Sequence, residues 1–244
     1  MSWYKKSFGQ DYLTIYPHRN ESEAKKIIKF AAKALDLKPG QRVLDLGCGY
    51  GRNSAECAAL GAKVTGLDLS AELLTLAHKK ECQNGKRYTL VRGDMRFIPF
   101  KQAFDVVLSL FTSFGYFDGD AENEMVIRAV ANALKPGGLF LFDYLNMMQA
   151  IPNMTIRDTQ NRGNVRIVQE RSYNETTNRI EKKITLHDQG ETREYTESVR
   201  AYRLIDLLLF FERSGFECTA LYGDYQFQPF TRTAPRLIMI GEKK

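Results

Sequence analysis

The chain has 244 residues, 43% of them hydrophobic and 26% charged, with a formal charge of +6 and a pI near 9.0. That length and composition suit one large domain, or a domain carrying an insert, whose core can be buried without staples. The four cysteines, Cys48, Cys57, Cys82 and Cys218, show no C-x-x-C spacing and no partner histidines, so disulfide frameworks and zinc sites are excluded and a reducing, cytoplasmic setting is expected.

No apolar run approaches the ~20 residues of a membrane-spanning helix, so no membrane association is expected. The opening Met1-Ser2-Trp3-Tyr4-Lys5-Lys6 lacks the apolar centre of a signal peptide. Lys and Arg are scattered rather than clustered, which argues against a nucleic-acid partner. Residues 1–20 are aromatic and basic, and Phe8, Tyr12 and Tyr16 fall four apart, on one face if helical. Such a stripe either packs or closes over a ligand. Asn20 with Glu23 reads as a helix cap, and Ala24, Ile27, Ile28, Ala31 and Leu35 follow at helical spacing until Pro39-Gly40.

Val43-Leu44-Asp45-Leu46 is an apolar run that leads into Gly47-Cys48-Gly49-Tyr50-Gly51, and Arg52 to Leu60 reads as a helix. A second run, Ala62 to Leu67, ends on Asp68. Strand, glycine turn, helix, strand and acid form the first half of a doubly wound nucleotide-binding sheet, whose ligand lies outside the carboxyl ends of the strands. Side chains at Gly47 or Gly49 would hold that ligand off the backbone. Asp68 is placed to accept both hydroxyls of a ribose. A dinucleotide fingerprint has its third glycine at the helix start, where this chain has Arg52.

Ala71 to Cys82 reads as a helix, Tyr88 to Val91 as the third strand and Phe104 to Ser109 as the fourth. The aromatic loop Phe111, Phe114, Tyr116 and Phe117 follows, suited to an apolar or cationic guest, or to a wall of the core. A helix over Asp118 to Leu134 leads through Lys135-Pro136-Gly137-Gly138 to the fifth strand, Leu139 to Tyr144. Asp143 and Asn146 are too few oxygen ligands for a metal site, so no metal is expected. From about Ile151 to Arg200 the sequence turns polar, with extended runs over Asn164–Tyr173, Arg179–His187 and Thr192–Arg200. This reads as an antiparallel β insert, a lid over the substrate; a contact for a homodimer is the rival reading. The helix Arg203 to Arg213 and the strands Glu217 to Tyr222 and Arg236 to Gly241 complete the chain.

The run from Asp45 through the glycine turn to Asp68, with Gly93-Asp94-Met95, the L-K-P-G-G turn and Ser214-Gly215-Phe216, resembles the class I S-adenosylmethionine-dependent methyltransferases. The F-x-x-x-Y spacing of Phe8 and Tyr12 resembles their small-molecule branch. The resemblance implies an α/β fold: a doubly wound, Rossmann-like seven-stranded sheet with a small antiparallel β insert after the fifth strand and a last strand antiparallel to the rest. It implies residues 1–150 as an N-terminal cap and cofactor-binding core, 151–200 as the β lid and 201–244 as the remainder of the core. S-adenosylmethionine would be bound by Tyr12, Asp45, Gly47, Gly49, Gly51, Asp68, Leu69, Asp94, Met95 and Ser109, and leave as S-adenosylhomocysteine. The expected reaction is in-line methyl transfer to a nitrogen or oxygen of a small molecule. Tyr12, Tyr16, Phe114, His187, Tyr195 and Arg200 are the candidates to orient or deprotonate the acceptor, with Arg236 as an anion contact. The alternatives are an RNA methyltransferase and a cofactor-binding protein without catalysis.

Overall fold

The computed structural model of the chain describes residues 3–9, 11–84 and 88–244, with the side chains of 82–84 outside that description. Gln10 of the F-x-x-x-Y segment and the Cys82 side chain therefore lie outside the described residues. Two single-turn helices, α1 (Tyr4–Ser7) and α2 (Tyr12–Ile15), carry the aromatic stripe, followed by α3 (Glu21–Ala34). The Asn20 side chain caps α3 by accepting the Glu23 amide at 3.1 Å, and Ala24, Ile27, Ile28 and Ala31 are buried as the spacing requires.

The main sheet is built from β1 (Arg42–Leu46), β2 (Lys63–Asp68), β3 (Thr89–Arg92), β4 (Phe104–Ser109), β5 (Leu134–Leu145), β10 (Phe216–Tyr222) and β11 (Arg236–Lys243). Helices α4 (Arg52–Ala59), α5 (Ala71–Asn84), α6 (Asp120–Ala133) and α8 (Leu204–Arg213) connect or flank these strands, and α7 (Met147–Ala150) follows β5. Strand order is β10-β11-β5-β4-β1-β2-β3. β1 pairs in parallel with both β2 and β4, whereas β11 is antiparallel to β5 and to β10. The chain runs outward from β1 through β2 to β3, then returns to β4 on the other side. This reversal opens a crevice at the carboxyl ends of β1 and β4. Val43 to Leu46 and Val106 to Ser109 are buried throughout, as parallel strands covered on both faces must be.

β5 begins earlier than its apolar run, because Leu134 pairs with Phe104 before the glycine turn and the ladder shifts register before resuming at Val106 with Leu139. Strand β11, antiparallel to both its neighbours, is the reversed last strand that the family resemblance implies.

After β5 the chain forms a second sheet, β6 (Arg157–Arg162), β7 (Val165–Asn174), β8 (Arg179–Asp188) and β9 (Glu191–Arg200), in that order and antiparallel throughout. Strand β6 was not foreseen, since it contains no apolar residue to mark a face. The inner face of this sheet finds its apolar partners outside itself: Ile167, Ile184 and Leu186 pack on Ile15 and Tyr16 of the N-terminal segment. Among the described residues, no helix is long and apolar enough to cross a membrane.

Candidate active site

The turn after β1 takes left-handed backbone at Gly47 (φ +73°) and Gly49 (φ +55°). A Cβ on Gly47 would stand 3.1 Å from the Ser113 side chain, while one on Gly49 would meet only Leu73, 3.8 Å away. The glycines thus keep one wall of a cavity low. Asp68, at the end of β2, is tied to this turn: its Oδ2 accepts the Gly49 amide at 2.8 Å and its Oδ1 the Ser70 amide at 2.8 Å. Burial raises its pKa, and the amides of Ser70, Gly49 and Leu69 work against that rise by favouring the carboxylate.

Gly47, Gly49, Asp68, Leu69, Asp94 and Met95 line this cavity, and Tyr12 with Tyr4 and Phe8 covers it from the N-terminal segment. Asp94 is held by Arg96, whose Nη2 donates to Oδ2 at 2.6 Å and whose amide donates to Oδ1 at 2.9 Å. Partial burial pushes the Asp94 carboxyl up, but the Arg96 bonds and charge outweigh it and leave it below the usual range.

Three expected cofactor residues do not reach the cavity. Asp45 is buried beneath the turn, accepting the Ser54 hydroxyl at 2.6 Å, and burial pushes its pKa up to about 6 against that bond. Gly51 is the N-cap of α4, and a Cβ there would stand 2.6 Å from the Tyr88 hydroxyl oxygen, so its glycine serves helix packing. Ser109 is buried inside β4, between Leu46 and Phe142 in the ladder.

A second cavity of about 410 Å³, within the range of small-molecule sites, adjoins the first. Phe8, Arg19 and Tyr116 line both cavities and form their common wall. The floor of the second comes from the loop after β4 and from α7; its roof is the inner face of the β6–β9 sheet, through Arg171, Ile180, Lys182, Glu197 and Val199.

The expected catalytic residues are dispersed. Tyr16 is buried beside the roof, donating to Glu197 and accepting from Lys182 Nζ at 2.8 Å, and lines neither of these two cavities. Burial first, and Glu197 second, raise its pKa well above 10.0. Phe114 is 1% exposed and packs on Phe142, Tyr144 and Tyr202, a core residue and no part of the site. His187 stands exposed near the far end of β8, paired with Thr192 Oγ1 at 3.1 Å. Tyr195 donates to Asp11 at 2.6 Å and fastens β9 to the N-terminal segment. Arg200 is spent on Asp120 and the Thr177 carbonyl. Arg236 lines the second cavity, but its charge is matched by Asp143 at 2.7 Å. Asn146, for its part, donates to the carbonyls of Thr231, Arg232 and Ala234.

Sequence reasoning offered Tyr116 as a possible guest contact in the aromatic loop, but did not single out Arg19, His18, Ser113, Lys182 and Glu197 as site residues. Lys182 and Glu197 carried a legible signal, since each is a charge at an inward position of an alternating strand. Arg19 donates to the Tyr12 hydroxyl at 2.6 Å and faces the Tyr16 ring at 4.3 Å, while its Nε is shielded from solvent and meets no acceptor. Burial, helped by Arg171 and Arg19 and opposed by Glu197, brings Lys182 down to about 8. Partial burial and then Arg19 hold His18 below its ordinary 6.5.

Residues 43–138 match the family model of the methyltransferase domain. The chain is 28% identical over 211 residues to the cypemycin N-terminal methyltransferase of Streptomyces sp, covering 84% of each. It is 36% identical over 117 residues to the ubiquinone biosynthesis O-methyltransferase of Xanthomonas axonopodis pv. citri (strain 306), spanning about half of that relative (47%). A crystal structure of an S-adenosylmethionine-dependent methyltransferase from Clostridium acetobutylicum superposes with a TM-score of 0.83 at 19% identity, over 96% of this chain and 98% of the other, a likeness of fold. The domain match covers β1 through the turn that enters the long part of β5, where the glycine turn and Asp68 lie, and the fold agrees beyond it. Over residues 43–138 the chain carries a methyltransferase domain, and in sequence and fold it is similar to S-adenosylmethionine-dependent methyltransferases.

Proposed function

We propose that this chain transfers a methyl group from S-adenosylmethionine to a nitrogen or oxygen of a small molecule held in the second cavity. The observation that carries this reading is the common wall: Phe8, Arg19 and Tyr116 border both the glycine-turn cavity and the cavity under the β6–β9 roof. A pocket of that size, roofed by the β6–β9 sheet, fits a compact acceptor better than a nucleic-acid strand. The names of the relatives fit this reading, since one is a cypemycin N-terminal methyltransferase and the other an O-methyltransferase of ubiquinone biosynthesis.

The residues fit the cofactor group by group. Asp68 would accept the ribose hydroxyls, Asp94 the adenine amino group, and Met95 would pack on the ring. Among the described residues Arg19 is the one cation lining the first cavity, and its unpartnered Nε suits the carboxylate of the methionine end. When bound, the cofactor supplies an electrophilic methyl on a sulfonium. The faces of Phe8, Tyr12 and Tyr116 exclude water there and tolerate positive charge. His18, facing the second cavity and kept less basic than usual, would take the proton released by the acceptor. The insert acts as the lid, and the free thiols Cys48, Cys57 and Cys218 suit a reducing cytoplasm.

Calorimetric titration with S-adenosylmethionine and, separately, NAD tests the reading. Binding of the methyl donor alone, followed by methyl transfer to members of an amine and hydroxy-compound panel, is the expected result. Binding of NAD in its place would overturn it.

A further inference from the structure

The inner face of the β6–β9 sheet carries a charged row between two rows that pack against the rest of the molecule. Cross-strand pairing sets Tyr173, Ile180 and Val199 side by side, then Arg171, Lys182 and Glu197, then Gln169, Ile184 and Tyr195. Tyr173, Ile180 and Val199 pack on the main core, and Ile184 and Tyr195 pack on the N-terminal segment. The charged row lies between these two apolar contacts and faces the second cavity with all three of its members.

Two like charges directly opposite on neighbouring strands destabilise a sheet, and burial adds to the penalty. Arg171 and Lys182 are such a pair, with side chains 23% and 11% exposed. Their compensation is partial. Arg171 has Asp158 behind it at 2.5 Å. Among the described ion pairs Lys182 has only Glu197, 3.9 Å away, which already accepts a hydrogen bond from the Tyr16 hydroxyl. One ammonium proton of Lys182 goes to Tyr16, leaving donor capacity toward the cavity. Among the described residues no other acid lines that cavity, and its two further guanidiniums are matched, Arg236 by Asp143 and Arg19 by the cofactor carboxylate proposed above, so the pole is the Arg171–Lys182 pair. A bound sulfonium on the far side of the common wall would add more. A cationic guest is repelled here, and an anion is drawn in.

Building on the methyltransferase reading above, we propose that the Arg171–Lys182 pair is the binding pole for an anionic group of the methyl acceptor. The acceptor is an acid, a carboxylate or a phosphate monoester, with its charge on Lys182 and Arg171 and its nucleophilic atom turned toward the Phe8–Arg19–Tyr116 wall. Ile180, Val199, Leu145 and Met147 supply apolar contact for the body between.

The test uses the full chain loaded with S-adenosylhomocysteine and calorimetric titration of two matched pairs of probes: 4-aminobenzoate against 4-aminobenzamide, and glucosamine 6-phosphate against glucosamine. The expected result is at least a tenfold tighter Kd for one acid than for its neutral-headed partner, with the pair that responds distinguishing carboxylate from phosphate. Lys182→Met should reduce that preference to within twofold, and Lys182→Arg should restore it. S-adenosylhomocysteine affinity, which involves neither side chain, reports whether each variant is folded; Lys182→Gln replaces Lys182→Met if the latter is not. If no acid is preferred in either pair, or the preference survives loss of Lys182, the proposal is overturned while the cofactor reading stands. If the wild-type chain fails to bind S-adenosylhomocysteine, both fall.

Discussion

Asp68 Oδ2 accepts the backbone amide of Gly49 at 2.8 Å, so the acid ending β2 fixes the shape of the glycine turn that follows β1. On the function proposed above, the same carboxylate would be both a ligand for the ribose and a clamp on the backbone beneath the cofactor. Asp68→Ala removes two amide bonds to a charged acceptor together with the ribose contacts, a loss of about 3 kcal/mol or roughly a hundredfold in donor affinity. Calorimetry with S-adenosylmethionine measures it directly. Affinity within threefold of the wild type would refute the ribose assignment.

Arg19 has no carboxylate partner among the described ion pairs, and its buried Nε has no acceptor. If its charge answers the cofactor's carboxylate, Arg19→Met should weaken S-adenosylmethionine by about 10- to 100-fold, the worth of charge-assisted hydrogen bonds. Decarboxylated S-adenosylmethionine lacks that group, and its affinity should change by less than about threefold on the same scale. Equal losses for both donors would show that Arg19 only holds Tyr12 and the aromatic wall in place.

What could be read from the sequence was whatever depended on neighbours along the chain. Strands β1, β2 and β4 announce themselves as apolar runs, and the acid after β2 follows from the turn before it. The aromatic loop does not, because it has no period. Left-handed backbone at Phe111 (φ +57°), Thr112 (φ +61°) and Gly115 (φ +83°) turns Phe114 into the core while Tyr116 faces both cavities. In the insert, a one-residue change of parity decides which face a side chain takes. His187 falls on the outer parity and Lys182 on the inner, so the attractive histidine is outside and the lysine is in the site. Arg19 was unreadable for another reason: it matters only because the N-terminal segment folds back across the sheet.

Asp45 gives a pH signature. Burial lifts its pKa from 3.8 to about 6, with the Ser54 bond opposing, so the folded chain holds this proton more tightly than the unfolded chain. The sign follows: Asp45 favours folding below pH 4, and that contribution is lost as the pH rises through about 6, to a total of about 3 kcal/mol. Asp45→Asn, which keeps an oxygen for the Ser54 hydroxyl, should gain stability relative to wild type at pH 7.5 and lose that advantage by pH 4. Urea unfolding of both proteins across this range measures the difference. An advantage independent of pH would place the Asp45 charge outside the folding equilibrium.

Arg179, the first residue of β8, is 7% exposed and ties the insert to the aromatic loop. Its Nη1 donates to the Phe117 carbonyl at 3.0 Å, and its Nη2 to the Gly115 carbonyl at 3.1 Å and the Ser198 carbonyl at 2.8 Å. Burial lowers its pKa from the ordinary value. Tyr116 and Phe117, held by these bonds, line the glycine-turn cavity proposed to hold the cofactor. The insert and that cavity are thus mechanically joined, and a deletion of residues 153–199 would loosen both. Arg179→Met removes several bonds from a charged donor, at about 1.5–3 kcal/mol each before relaxation, although the Phe117 carbonyl keeps Asn123 Nδ2 at 3.0 Å and the Gly115 carbonyl the Arg200 amide at 2.8 Å, so the denaturant midpoint should fall and donor affinity with it. Arg179→Lys, which can still reach one or two of the carbonyls, should recover part of each. Reduced stability with donor affinity intact would show that the loop keeps its shape without the insert, and that Arg179 serves folding alone.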